Sequence, residues 1–356
     1  MTDTIFALSS GSPPAAIAVV RVSGPEAGNS LRALCGRIPP ARRAVSARLI
    51  DGEGEQIDRA LVLWLPGPGT ATGEDIAEFH LHGGRAVVSA LERTLSVLPG
   101  LRPATAGEFT RRAFVNGRID LAEAEGLADL LSAETELQRR SAMAMASGAF
   151  SAMVAAWRER LLMASASLEA VLDFGDEDDV APLPAAFASD LAGLQEELTG
   201  WLDRPRAEVL REGYRVVIAG PPNLGKSTLF NVLVGSDAAI ATPIAGTTRD
   251  VLTRPVSLGG IPFLFADTAG LHDNAGDEVE AIGIERALEA LDRADLVLWL
   301  GPEGAGPKGC WEIASQIDRA DALRKRHARH RISAISGAGL AALRHDLSAT
   351  ARAAMP

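Results

Sequence analysis

The 356-residue chain has two cysteines, one tyrosine, 4% aromatic residues and a formal charge of -11. Cys35 and Cys310 stand far apart, with no neighbour at metal-ligand spacing, which excludes a disulfide framework and a cysteine-built zinc site and fits a reducing cytoplasm. The negative balance excludes a protein that coats nucleic acid through bulk electrostatics, so such contact is local or made by a partner. No run approaches the roughly 18 apolar residues of a membrane span, and the N-terminal apolar run is too short for a signal-peptide core. What the chain does have is 47% hydrophobic residues, 35 glycines and 20 prolines. That supports two or three domains with their own cores.

Residues 1–118 alternate short apolar runs ("AIAVVRV", "RALVLWLP", "AEFHLHGG") with Gly and Pro turns, which predicts an α+β domain. In residues 119–210, apolar residues recur at three- and four-residue spacing among Ala, Leu and Glu, predicting two or three long helices and then a further one over "DLAGLQEELTGWLDRPRAEVLREG". The acidic run Asp176–Asp179 between them reads as a solvated turn without a role. "YRVVIAG" opens an α/β domain expected over 211–356.

After that predicted strand, "GPPNLGKST" places Gly220, Gly225, Lys226 and Ser227 in the spacing of a phosphate-binding loop, ahead of the helical "TLFNVLVG". Glycines let backbone amides approach phosphates, the helix N-terminus favours negative charge, Lys226 pairs with the outer phosphates, and Ser227 is placed to ligate Mg²⁺. "IATPIAGTTRD" offers Thr247 or Thr248 as a second Mg²⁺ hydroxyl on a segment that reads as a switch. "FLFADTAGL" then predicts a strand delivering Asp267 near the metal, with Gly270 presenting its amide to the γ-phosphate.

Choice of guanine requires a carboxylate that accepts both N1–H and the 2-amino group. Asp318 in "WEIASQIDRAD" is the candidate, although the residues before it are Ser315, Gln316 and Ile317 where GTPases carry Asn-Lys-x. Ser315 is too short to span both base and phosphate loop, so weaker nucleotide affinity is expected, without a switch to ATP. Ser333 and the Ala334 amide in "ISAISGAGL" are candidates for the guanine O6.

Together "TGEDIAEFHLHGG", "RPATAGEFTRRAFVNGRIDLAEAEGLADLLSAET", "GPPNLGKSTLFN", "AAIATPIAGTTRDV" and "DTAGLHDNAGDEVEAIGIERA" resemble the MnmE (TrmE) family of bacterial tRNA modification GTPases, from residue 4 to about 345. The resemblance implies a multidomain α+β and α/β protein: a folate-binding and dimerising domain (1–118), a helical domain (119–210 as its first part) and a Ras-like G domain (211–356). It implies GTP, Mg²⁺, K⁺ and a 5-formyl- or methylene-tetrahydrofolate as cofactors. The implied partners are a second copy, an MnmG-type flavoprotein in a heterotetramer, and tRNA, with no membrane. The implied reaction adds aminomethyl or carboxymethylaminomethyl groups at the wobble uridine.

Carried over residue by residue, GTP contacts fall to Asn223, Leu224, Gly225, Lys226, Ser227, Thr228, Thr242, Thr247, Thr248, Asp267, Thr268, Ala269, Gly270, Asp318, Ser333 and Ala334. Mg²⁺ falls to Ser227 and Thr248. K⁺, which does the work of an arginine finger, falls to Asn223, Thr242, Ile244 and Thr247. Without the family, Asn223 reads as a turn residue. Glu280 is implied to orient the attacking water, against a plain reading as a helix N-terminal glutamate. His272 stands where relatives carry arginine. Folate contacts fall to Arg21, Glu78 and Arg118, each of which alone would read as surface charge.

His80 and His82 share one strand face but lack a third ligand, which favours a structural role. "RKRHARHR", Arg324 to Arg331, reads as a solvated helix face. Family members continue well past the G domain and end in Cys-x-Gly-Lys, whereas this chain stops at "SATARAAMP", so the helices of 119–210 are expected to expose apolar surface. Two rival readings are a ribosome-assembly GTPase, which would carry RNA-binding domains in place of "TGEDIAEFHLHGG", and a non-hydrolysing folate scaffold, which GTP turnover would reject.

Overall fold

Period-two alternation in "IAVVRVS" and "IAEFHLH" puts apolar side chains on one sheet face and polar ones on the other. The computed structural model describes residues 3–174, 183–204, 207–235, 253–267 and 289–355. The chain divides into two units, Met1–Ala124 and Glu125–Pro356.

The first unit is a six-stranded sheet of β1 (Thr4–Leu8), β2 (Ile17–Ser23), β3 (Val45–Ile50), β4 (Gln56–Leu65), β5 (Ile76–His82) and β6 (Leu101–Pro103), in the order β3-β4-β5-β2-β1-β6. Helices α1 (Ala27–Cys35) and α2 (Arg85–Ser96) cover one face, where Val20, Val22, Phe79, Leu81, Leu31 and Leu91 form the core. The opposite face carries Arg21 of β2, directly across from Glu78 of β5, and His80, two residues along β5 from Glu78. A third helix, α3 (Glu108–Val115), follows β6.

Helix α4 (Leu121–Ser132) begins in the first unit and continues into the second, where α5 (Glu136–Ala146) and α6 (Ala149–Phe174) follow; these three are the expected long helices, and α7 (Phe187–Leu202) comes after them. The single helix expected to follow is divided between α7 and α8 (Ala207–Glu212), with Pro205 between them in sequence; proline removes a helical N–H donor and crowds the preceding turn. A capping box of Thr135 and Gln138 starts α5. Leu137 of that helix packs onto the unit's main core, and Gln138 Nε2 donates to the Leu210 carbonyl at 3.1 Å. Trp157 and Trp201 meet edge-on, with centroids 5.9 Å apart. Elsewhere α6 and α7 leave apolar side chains in solvent: Leu172 is 72% exposed and Leu202 84%.

The second sheet contains β7 (Tyr214–Ala219), β8 (Thr253–Leu258), β9 (Ile261–Asp267), β10 (Leu296–Trp299), β11 (Trp311–Ala314) and β12 (His330–Arg331), in the order β12-β11-β10-β7-β9-β8. All pairings are parallel except β8 with β9. Such a sheet is buried on both faces, so its strands are continuous apolar runs; β7 is "YRVVIA". One face packs on α9 (Lys226–Val234) and α10 (Leu340–Ala353) through Leu229, Leu233, Leu340, Leu343 and Leu347. Val217, Ala219, Ala266 and Val297 form a separate cluster from the opposite strand positions. Because β9 and β10 lie on either side of β7, the chain reverses direction across the sheet there, and the carboxyl ends of these strands open a crevice suited to ligands.

Candidate functional site

The phosphate loop leaves β7 at Ala219 and enters α9 at Lys226. Its turn depends on glycine: Gly220 has φ 146°, and a Cβ there would lie 2.9 Å from the Gly301 amide nitrogen at the end of the neighbouring strand. Lys226 is buried, and its Nζ donates to the Pro221 carbonyl at 2.8 Å, which draws it back over the loop. Ser227 and Thr228 are exposed in the first turn of α9, and Asn223 is exposed at the loop's crest. Asp267 ends β9 opposite Ile218 of β7 and is buried at 5% exposure. A hydroxyl at a helix start and a carboxylate at an adjacent strand end are hard oxygen donors, which fit Mg²⁺.

Two loops at the same carboxyl end of the sheet bring in the guanine candidates. Asp318 lies exposed in the turn after β11. The Ile317 amide donates to the Ile332 carbonyl at 3.3 Å, which holds this loop against the one bearing Ser333 and Ala334. Ser333 is fully buried and its Oγ accepts from the Ser336 amide at 3.0 Å, so the hydroxyl shapes the turn. Ser315, expected to be too short for two tasks, performs one: its Oγ donates to the Leu224 carbonyl of the phosphate loop at 2.8 Å. Thr242, Ile244, Thr247, Thr248, Thr268, Ala269, Gly270, His272 and Glu280 lie outside the described residues, as does the acidic run Asp176–Asp179.

The basic run is not the solvated helix face expected of it. It forms a loop and strand β12, and Lys325 is buried, donating to Glu312 Oε2 at 2.6 Å and to the Trp299 carbonyl at 2.7 Å. Arg329 lies over the Trp311 ring at 3.8 Å. An opposite charge on β11 converts one cation of the run into an internal strut, a partner that spacing within the run does not reveal.

In the first unit Arg21 and Glu78 form a two-pronged ion pair, with Nε and Nη2 at 2.9 and 2.8 Å from Oε1. His80 Nε2 lies 3.2 Å from the other carboxylate oxygen. His82 Nδ1 pairs with Asp58 at 2.8 Å, so the two histidines take separate structural partners, and no metal-binding cluster of His, Cys, Asp or Glu occurs among the described residues. Arg118 takes a different partner: its Nε donates to the Thr70 carbonyl at 3.1 Å. The segment from Thr70 to Glu74 nevertheless ties it to β2, since Thr72 shares a hydrogen bond with Ser23 at 2.7 Å, two residues from Arg21.

Behind this segment lies a charged network that sequence reasoning missed. Arg112 is fully buried and pairs with Glu74 at 3.0 Å, Asp3 at 3.0 Å and Glu108 at 3.2 Å. Arg102 donates to Glu108 at 2.6 Å. Removing one member leaves buried charge uncompensated, so Arg112→Met is expected to destabilise the first unit by about 3–5 kcal/mol. Amide exchange of the β1 peptides under mild urea measures this, and unchanged protection would contradict it.

Hydrogen bonds from Arg102 hold the Glu108 carboxyl well below the usual range, against the opposing effect of burial. Burial pushes Glu78 up, but bonds from His80 and Arg21 outweigh it and leave it lowered. Both groups are depressed in the folded chain. Their stabilisation is therefore complete above the unfolded value of about 4.3 and is lost as pH falls through the lower folded values. Protection of β1 and β5, corrected for intrinsic exchange, is expected to hold down to about pH 4.5 and to fall below it.

Comparison with known proteins bears on both units. A family model described as the GTP-binding protein TrmE N-terminus matches residues 4–118, and one described as the MnmE helical domain matches 121–355. The tRNA modification GTPase MnmE of Erythrobacter litoralis is 61% identical over 354 residues, covering 99% of this chain and 84% of that protein. Its namesake from Novosphingobium aromaticivorans is 61% identical over 368 residues, covering 100% and 84%, and that of Sphingopyxis alaskensis 53% over 347 residues, covering 95% and 83%. No helix among the described residues is long and apolar enough to cross a membrane. Matching models over both units and relatives of this identity along nearly the whole length place the chain in the MnmE family.

Proposed function

We propose that the chain hydrolyses GTP to GDP and phosphate with K⁺ stimulation, in the cytoplasm, as part of tRNA wobble-uridine modification that uses a folate one-carbon unit. The observation that carries this reading is the convergence at the carboxyl ends of the strands of the Gly220–Thr228 loop, Asp267 and the Asp318 and Ser333 loops, in a chain of this family. Lys226 and the first amides of α9 would neutralise the outer phosphates, while Asp318 would select guanine by accepting its two N–H donors. Ser227 would hold Mg²⁺, which would supply positive charge against the phosphates. The exposed Asn223 side chain offers a carbonyl oxygen that suits K⁺.

The Arg21–Glu78 pair supports the folate reading. An ionised carboxylate accepts from the donor edge of a pterin, and guanidinium groups at Arg21 and Arg118 suit a carboxylate tail. Partition into 1–118, 119–210 and 211–356, pairing with a second copy, and work with an MnmG-type flavoprotein on tRNA complete the reading.

The test is phosphate release by the full chain with GTP and with ATP in KCl and MgCl₂, alongside equilibrium binding of 5-formyltetrahydrofolate to wild type and Glu78→Gln. Turnover of GTP and not ATP is expected, with folate binding weakened about tenfold or more in the variant. Folate binding without turnover of either nucleotide would favour the scaffold reading.

A further inference from the structure

Two non-glycine residues of the nucleotide site hold left-handed backbone, Asn223 at φ 65° and Gln316 at φ 55°. Few side chains populate that region, and they persist there when surrounding contacts over-determine them. These two are joined directly, because Gln316 Nε2 donates to the Asn223 carbonyl at 3.1 Å. Beside it, Ser315 Oγ donates to the Leu224 carbonyl at 2.8 Å. Two successive carbonyls of the phosphate loop are thus held by two successive residues of the guanine loop. Gln316 also closes over Gly225, where an added Cβ would lie 3.2 Å from its Nε2.

A carbonyl held in this way fixes the peptide plane after Asn223, and with it the direction in which the exposed Asn223 side chain leaves the loop. We propose that Gln316 is a positioning residue that sets Asn223 for a monovalent cation, so that the guanine loop and the cation side of the phosphate loop act as one piece. This rests on the K⁺ reading of the preceding subsection. Gln316 touches neither phosphate nor cation in this role; it acts through Asn223. Its departure from the lysine usual at this place in the motif is then no sign of decay, since a neutral amide supplies the same donor to the loop. Ser315 shares the task at the next carbonyl, which explains why a short hydroxyl is kept where asparagine is usual.

The test is GTP turnover by the full chain, titrated with KCl while NaCl keeps ionic strength constant. Wild type is compared with Gln316→Met, which keeps length and loses the donor, and Gln316→Lys, which restores a donor of similar reach. The Met variant is expected to need about five times more K⁺ for half-maximal stimulation, the scale of one lost hydrogen bond. The Lys variant is expected to recover most of the K⁺ response. Equal K⁺ requirements in wild type and the Met variant would overturn the proposal while leaving K⁺ stimulation standing. A Met variant slowed equally in both salts would also overturn it, because that is the signature of a general loss of nucleotide binding. A wild type indifferent to K⁺ would remove the reading on which it rests.

Discussion

Lys226→Ala is expected to lower kcat/KM for GTP by on the order of 10³, the scale seen when a preorganised charge or donor is removed from a transition state. Lys226 sits at the start of α9, with its Nζ on the Pro221 carbonyl at 2.8 Å and 5% exposure, so its cation is fixed before nucleotide arrives. The phosphate loop has no other lysine or arginine between Gly220 and Thr228 to take its place. Steady-state phosphate release measures the change, with circular dichroism to confirm that the variant folds. A loss smaller than about tenfold would mean that the outer phosphates rest elsewhere.

The second large effect concerns the base. Asp318→Asn replaces a two-fold acceptor by a group with one acceptor and one donor, which meets the guanine 2-amino group donor to donor. Xanthine carries an oxygen at that position and accepts what the amide donates. The ratio of kcat/KM for GTP over XTP is therefore expected to fall by about 10³ or more, since a site built for specific hydrogen bonds strongly rejects the analogue that leaves them unpaired. Competition assays with both nucleotides measure it. An unchanged ratio would show that Asp318, exposed in the turn after β11, does not read the base.

The parts of this architecture legible in sequence are those whose signal is local. "YRVVIAG" followed by "PPNLGKST" specifies a strand, a tight turn and a helix start within a few residues, and the structure has β7, left-handed backbone at Gly225 and α9 there. Asp267 was legible because the apolar run before it is a buried parallel strand that ends where the polar residue begins. Less legible were features that depend on distant partners. Gln316 meets Asn223 across 93 residues, and Arg112 meets Asp3 across 109. Neither has a periodic signature, because a single side chain reaching another element leaves no repeat to read. The run around Lys325 misled for the same reason, since a cation among cations reads as solvated until Glu312 on β11 is placed opposite it. The folate candidates fall between these cases: alternation puts Arg21 and Glu78 on polar strand faces, but their direct pairing follows from the β2–β5 register.

The most direct measurement of the central claim is steady-state GTP hydrolysis by the 356-residue chain in KCl against NaCl at equal ionic strength, with Asn223→Ala as control. A marked stimulation by K⁺, lost in the control, is the expected result. Equal slow rates in the two salts, unaltered by the substitution, would contradict the account of a K⁺-stimulated hydrolase.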